Sequence, residues 1–358
     1  MKIIDIQLGH LLVPLKKPFK TALRTVTRVE DVLVTIHTDT GAVGYGSAAP
    51  TAAITGDTGS SIRRAIEGPI KKQLVGLSLN NFEEVIAQVQ ESPVNSTSAK
   101  AAVDIALYDL YGHLKKAPVY KLLGGSRKDL TTDITISVNE PEEMVRDSLD
   151  AVKEGFKTLK IKVGKNSAKD IKRLKHIREK VGYAVSLRVD ANQGWTPVEA
   201  VAVLQRMEDA DIRVEFVEQP VKGHDLKGLK FVKDRVSVPV MADESAFSPQ
   251  DVMNIIEMRA ADLINIKLMK TGGIYNALTI CALAESAHME CMIGCMLESK
   301  VSVTAAAHLA CARSIITRCD LDAPLLCSED PIEGGACYKD DHIILSGEPG
   351  FGFKRVGG

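Results

Sequence analysis

Aromatic side chains are scarce in this 358-residue chain, at 4% with a single Trp. A core of any size must therefore be aliphatic, and a hydrophobic content of 45% is ample for one. An excess of charge of one sign is also missing. Forty-five Lys and Arg stand against 46 Asp and Glu, for a formal net charge of −1. That balance supplies no basic field for nucleic acid or for an anionic membrane. No run of 18 apolar residues and no secretory leader pattern is present, so the expected protein is soluble and cytoplasmic, without a membrane partner. Cysteine is absent before residue 281, and the seven that follow are an odd number. This argues against a disulfide framework and for reduced, buried thiols. His288, Cys291 and Cys295 lack a fourth ligand at a plausible spacing, so zinc is not expected there.

What is present is organised around Thr158-Leu159-Lys160-Ile161-Lys162-Val163-Gly164. Leu159, Ile161 and Val163 alternate with polar residues at the period of a strand, which puts Lys160 and Lys162 on one face. Facing outward they are two solvated ammonium groups. Facing into a barrel, each is expected to lower the other's pKa. Further apolar strands follow, each ending in a polar residue. Val185–Val189 runs to Asp190, Val214–Val217 to Glu218, Val238–Ala242 to Asp243, and Asp262–Ile266 to Lys267. The steps from Lys162 are 28, 28, 25 and 24 residues, each about one strand, one helix and two short loops. Polar residues at the C-terminal ends of successive strands are the layout of a (β/α) barrel active site.

The flanks differ from this pattern. Lys2–Val13, Asp31–Thr38 and Val43–Gly46 read as an antiparallel meander, interrupted by loose polar segments at Phe19–Thr25 and Ala49–Ser60. From Ser61 the period becomes helical, ending in a long Ala-rich amphipathic helix at Ala99–Leu114. Leu122-Leu123-Gly124-Gly125 marks a domain boundary. The prediction is an α+β capping domain over residues 1–124 and a barrel over 125–322, with the tail 323–358 returning to complete the cap. The first barrel strand is expected at Thr132–Val138, the seventh at Cys291–Leu297 before Glu298, and the eighth at Ser314–Arg318 near Asp320.

Asp190, Glu218 and Asp243 are three carboxylates on adjacent strand ends. An all-oxygen set of this kind suits a hard ion such as Mg²⁺. Taken singly, each carboxylate is equally suited to capping the helix after its strand. Three in consecutive units, flanked by Lys162 and Lys267, favour the metal.

Lys160-Ile161-Lys162, Asp190-Ala191-Asn192, Glu218-Gln219-Pro220, Asp243-Glu244-Ser245 and Lys267 together resemble the enolase superfamily, in its muconate-lactonizing subgroup. That superfamily pairs a Lys or His base with Mg²⁺ to stabilise an enediolate. The resemblance runs nearly end to end and implies a modified (β/α)₇β TIM-like barrel under an N-terminal α+β cap. Gly294-Cys295-Met296-Leu297-Glu298-Ser299 and Asp320-Leu321-Asp322 are similar to the dipeptide epimerase branch. Thr21-Ala22-Leu23-Arg24-Thr25 and Thr55-Gly56-Asp57 are similar to its L-Ala-D/L-Glu epimerases.

Carried over residue by residue, the resemblance implies Asp190, Glu218 and Asp243 on Mg²⁺ and Lys162 and Lys267 as acid–base groups. Asp320 and Asp322 would bind a substrate ammonium, and Arg24 with Lys160 an acidic second side chain. Thr135, Met296 and Glu298 would also contact substrate. The implied reaction inverts the α-carbon of a dipeptide's C-terminal residue by two-base proton transfer, in a cytoplasmic homo-oligomer serving peptidoglycan peptide recycling. For this a lysine must be neutral, so its pKa is expected to be well below the ordinary 10.4 or so. Other readings use the same metal and lysines. They are N-acylamino acid racemase, o-succinylbenzoate synthase, muconate cycloisomerase and an epimerase of hydrophobic dipeptides. A non-catalytic Mg²⁺-dependent carboxylate binder needs no paired lysines.

Overall fold

The computed structural model describes residues 1–21 and 24–357. Ala22 and Leu23 of the predicted polar segment, and Gly358, lie outside the described residues. β1 (Ile3–Lys20), β2 (Thr25–Thr38) and β3 (Val43–Ala48) form the antiparallel meander, in the order β1-β2-β3. Against it lies the helix Thr97–Lys115, opened by the Ser96 side chain accepting from Ala99 N and closed by Lys116 in the left-handed conformation. Gly44 and Gly46 set how closely the two meet. A Cβ at these positions would come within 2.3 Å of Ala106 O and 1.9 Å of Ala102 O, so only glycine admits the helix backbone.

After β4 (Asp129–Thr131) the chain builds eight parallel strands paired in sequence order. They are β5 (Ile134–Ile136), β6 (Thr158–Lys162), β7 (Ser186–Asp190), β8 (Val217–Glu218), β9 (Val240–Ala242), β10 (Leu263–Lys267), β11 (Cys291–Gly294) and β12 (Ile316–Asp320). Seven helical connections separate them, giving (β/α)₇β. The seam between β5 and β12 is bridged by Asp133 N donating to Cys319 O (3.4 Å) and Leu321 N to Thr132 Oγ1 (2.9 Å). The first strand is shorter than its sequence predicts because both ends bond elsewhere. Thr132 N donates to Asp341 O of the tail and Val138 N to Lys20 O of the cap. The eighth is shifted by two residues, so that Asp320 is itself in the strand.

Strand alternation divides the barrel residues into two sets. Leu159, Ile161, Leu187, Val189, Ile264 and Ile266 are buried in the main core. On the inner face, Phe216 just before β8 and Met241, Leu263 and Met292 of β9–β11 form a separate apolar cluster. Arg188 of β7 stands beside it with its guanidinium 5.4 Å from the centre of the Phe216 ring. In the tail, β13 (Ile332–Gly334) pairs with β16 (Phe353–Val356), while β14 (Cys337–Lys339) and β15 (His342–Ile344) form a sheet with β4. The tail also reaches the cap helix, where Phe351 N donates to Asp109 Oδ1 (2.8 Å).

Candidate active site

Parallel register brings the predicted polar residues level at one end of the barrel. Lys162 pairs with Asp190, Asp190 with Glu218, Lys267 with Gly294 and Gly294 with Asp320. β6 and β10, which carry the two lysines, are four strands apart in a ring of eight and therefore face one another across the barrel. β7, β8 and β9, which carry or lead into Asp190, Glu218 and Asp243, lie between them.

A cavity of about 620 Å³, open mouth included, sits above these strand ends. Nine of the sequence-predicted residues line it: Arg24, Thr135, Lys160, Lys162, Asp243, Lys267, Met296, Asp320 and Asp322. Asp190 and Glu218 lie beneath, fully buried behind the lysines. Glu298 does not line the cavity. Its Oε1 turns back to accept from Met296 N (2.7 Å), and burial pushes its carboxyl up to about 7.

The charges are closely interlocked. Lys162 Nζ donates to Asp190 Oδ2 (2.5 Å), and Lys267 Nζ to Asp243 Oδ2 (2.7 Å). Lys160 Nζ stands 2.6 Å from both Glu218 Oε2 and Asp320 Oδ2 and 3.3 Å from Asp190. The expectation that Lys160 and its neighbour depress each other is therefore corrected at Lys160. Burial pulls its pKa down, but Asp320, Glu218 and Asp190 outweigh burial and hold it well above the ordinary value. Lys267 is likewise held up, by Asp243 and Glu218 against burial. At Lys267 this corrects the expectation of a pKa well below the ordinary lysine value, because its carboxylate partners favour the charged form more than burial disfavours it.

The carboxylates fit a hard divalent ion. Glu218 Oε2 is buried and, although near Lys160, has no donor in hydrogen-bond alignment among the described residues. Burial and the charges of Asp190 and Asp243 push Glu218 up to about 7, a group whose ionised form wants more positive charge nearby. Asn192 Oδ1 and Glu244 Oε2, at the same cavity wall, are buried without hydrogen-bond partners among the described residues.

A second acidic group lies towards β12. Asp133, Asp320 and Asp322 bring carboxylate oxygens within 4.8 Å of one another. Asp133 Oδ2 accepts from Arg188 (2.7 Å), Asp320 Oδ2 from Lys160 (2.6 Å) and Asp322 Oδ2 from Thr135 N (2.6 Å). Arg24, by contrast, is a half-buried cation with no ion-pair partner among the described residues, and burial lowers its pKa.

Several neighbours were missed from sequence. Arg188 and Asn265 sit two residues before Asp190 and Lys267 on the same strand faces, a period-two signal that was available. Asn265 Nδ2 donates to Glu218 Oε1 (2.7 Å). Asp133 sits two residues before Thr135 in the predicted first strand and offered the same signal, whereas Lys270 lies beyond its strand and carried none.

A capped (β/α)₇β barrel with paired lysines across three strand-end carboxylates defines a class, and the chain belongs to the enolase superfamily. Residues 3–124 match the mandelate racemase / muconate lactonizing enzyme N-terminal domain family, and residues 143–355 the enolase C-terminal domain-like family. Within it, the chain is 62% identical to the L-Ala-D/L-Glu epimerase of Clostridium acetobutylicum over 356 residues, 99% of each chain. The substrate-liganded L-Ala-D/L-Glu epimerase of Bacillus subtilis superposes with a TM-score of 0.98 at 51% identity, covering 100% of both chains. The Enterococcus faecalis dipeptide epimerase, complexed with Mg and L-Leu-L-Tyr, gives 0.95 at 43% identity, covering 99% of this chain and 100% of that one.

Proposed function

We propose that the chain is a Mg²⁺-dependent dipeptide epimerase that inverts the α-carbon of the C-terminal residue, with L-Ala-L-Glu and L-Ala-D-Glu as its pair. The observation that carries this is the placement of Lys162 and Lys267 on opposing strands, with the three carboxylates between them. Asp190, Glu218 and Asp243 would hold Mg²⁺, which when bound offsets the second negative charge that develops on a carboxylate losing its α-proton. Lys162 and Lys267 would exchange that proton from opposite faces, one removing it and the other returning it. The lysine that removes the proton must be neutral when it does so and the one that returns it must carry a proton, and each Nζ is now hydrogen-bonded to a carboxylate of the proposed ligand set.

The second acidic group supports a free ammonium on the first residue. Lys160 already pairs with Asp320, but a neutral acylated nitrogen would leave Asp322, which has no ion-pair partner among the described residues, without a counter-charge. This weighs against the acylamino acid racemase, o-succinylbenzoate synthase and muconate cycloisomerase readings. Arg24, at the cavity wall with no ion-pair partner among the described residues, supports an acidic second side chain. The same reading covers the cap boundary near residue 124, cytoplasmic location, a homo-oligomer and a role in peptidoglycan peptide recycling. Among the described residues no helix is long and apolar enough to cross a membrane.

The test compares kcat/KM for L-Ala-L-Glu, L-Ala-L-Leu, L-Ala-L-Lys and N-acetyl-L-Glu in wild type and Arg24→Ala. L-Ala-L-Glu is expected to be preferred, and Arg24→Ala to lose about tenfold or more on it while leaving L-Ala-L-Leu nearly unchanged. Preference for the acetylated compound or for Lys rejects the assignment. Preference for Leu that Arg24→Ala leaves unchanged keeps the epimerase and removes Arg24 from specificity.

A further inference from the structure

Lys270 is fully buried, yet neither the strand-end pattern nor the proposed chemistry employs it. It lies on the short helix Leu268–Thr271, three residues beyond Lys267. Its Nζ donates to the backbone carbonyl oxygens of Asp243 (2.5 Å) and Asn265 (2.9 Å) and stands 2.7 Å from Asp243 Oδ1. The Phe247 ring lies on another side, its centroid 5.7 Å away. The two carbonyls take two of the three N–H donors of the ammonium group, and Asp243 Oδ1, close enough for an ion pair, has no donor in hydrogen-bond alignment among the described residues. Burying a lysine is unfavourable unless its charge is paired, so packing alone would be better served by Leu or Met.

The partners give this cation a specific task. Asp243 uses its other oxygen, Oδ2, for Lys267. Asn265, whose carbonyl Lys270 holds, donates from its side chain to Glu218. One ammonium therefore ties the end of β9 to β10 and, through Asn265, to β8. We propose that Lys270 is a positioning residue that holds the carbonyl of Asp243 and, by charge alone, the Oδ1 side of its carboxylate, fixing the group so that Oδ2 faces Lys267 or a bound Mg²⁺. This rests on the reading of Asp243 as a metal ligand.

The experiment titrates Mg²⁺ by calorimetry into metal-stripped wild type, Lys270→Met, Lys270→Gln and Asp243→Asn. Wild type binds, Asp243→Asn binds far more weakly, and both Lys270 variants lose at least tenfold in affinity. Removing a neighbouring cation as charge alone would have the opposite sign and tighten Mg²⁺. Unchanged or tighter binding in folded Lys270 variants therefore overturns the inference. The second readout is α-proton exchange of each substrate stereoisomer in D₂O, with the Lys267 face assigned by Lys267→Ala. Exchange at that face is expected to slow at least tenfold more than at the Lys162 face. Equal slowing, as from general loosening, overturns it. Should Lys270→Met lose its cooperative thermal transition, Lys270→Gln, which keeps N–H donors for the carbonyls, carries both readouts. Wild type that binds no Mg²⁺ rejects the metal reading and this inference together, whereas wild-type binding with unaffected Lys270 variants rejects this inference alone.

Discussion

Lys162 and Lys267 illustrate how one residue type takes its chemistry from its neighbours. Each is nearly buried and hydrogen-bonded to a carboxylate that the proposed function gives to Mg²⁺. Replacing either with Ala is expected to lower epimerisation by about 10²–10⁴-fold, the usual contribution of a positioned acid or base. Each variant should still exchange the α-proton of one stereoisomer with D₂O, and the two should differ in which. Mass spectrometry of the recovered dipeptides checks this, and normal epimerisation by either variant would end the two-base account. Stripping the metal with excess chelator should abolish turnover, with Mg²⁺ restoring it, because the ligand set is all oxygen. Full activity in chelator rejects that.

At the scale of single elements, β11 shows a strand shaped to serve its neighbour. Gly294 is level with Lys267 in the β10–β11 register. A Cβ there would lie 2.7 Å from Asn265 Oδ1 and 3.0 Å from Lys267 Cε. Both are side-chain atoms able to move, so the fold tolerates the change better than the site does. Gly294→Ala is expected to lower Tm by only a few degrees while reducing kcat at least tenfold. Thermal melts beside initial rates decide, and a variant with wild-type kcat would show that Lys267 does not need the space. The cap is secured to the barrel by similar local means. Asp104 of the cap helix accepts from Ile274 N (2.6 Å) and Tyr275 N (3.2 Å), and Ser299 N donates to Asp31 Oδ2 (2.9 Å).

Across the whole molecule, His308 links stability to pH. It is fully buried where cap, barrel and tail meet, with Nδ1 accepting from Tyr120 N (3.1 Å) and its ring against Phe351. Burial lowers its pKa to about 3 from an ordinary value of about 6.5. The unfolded chain therefore takes up this proton first. The contribution is complete above about pH 6.5 and is lost as pH falls towards 3, at up to ~1.4 kcal/mol per pH unit. His308→Gln is expected to flatten the fall in urea midpoint between pH 6.5 and 4 relative to wild type. Parallel curves would show that His308 does not carry that dependence.

By itself the sequence determined the barrel and the members of its site, because strand period and βα spacing are local and a strand-end position is a matter of counting. Four such steps placed Lys162, Asp190, Glu218, Asp243 and Lys267 at one rim. Arg188 and Asn265 were within reach of the same reasoning. Only the tertiary structure decided the state of the charges. Lys160 reads from its strand as a repelling neighbour of Lys162, but Asp320, 160 residues away in sequence, closes the barrel beside it and helps to hold its charge. Asp133 joins Asp320 and Asp322 only because the first and last barrel strands meet at the seam. Lys270 finds Asp243 only because β9 and β10 are neighbours. A pKa depends on every charge within several ångströms, and which charges those are is set by closure of the ring, not by any pattern along one strand.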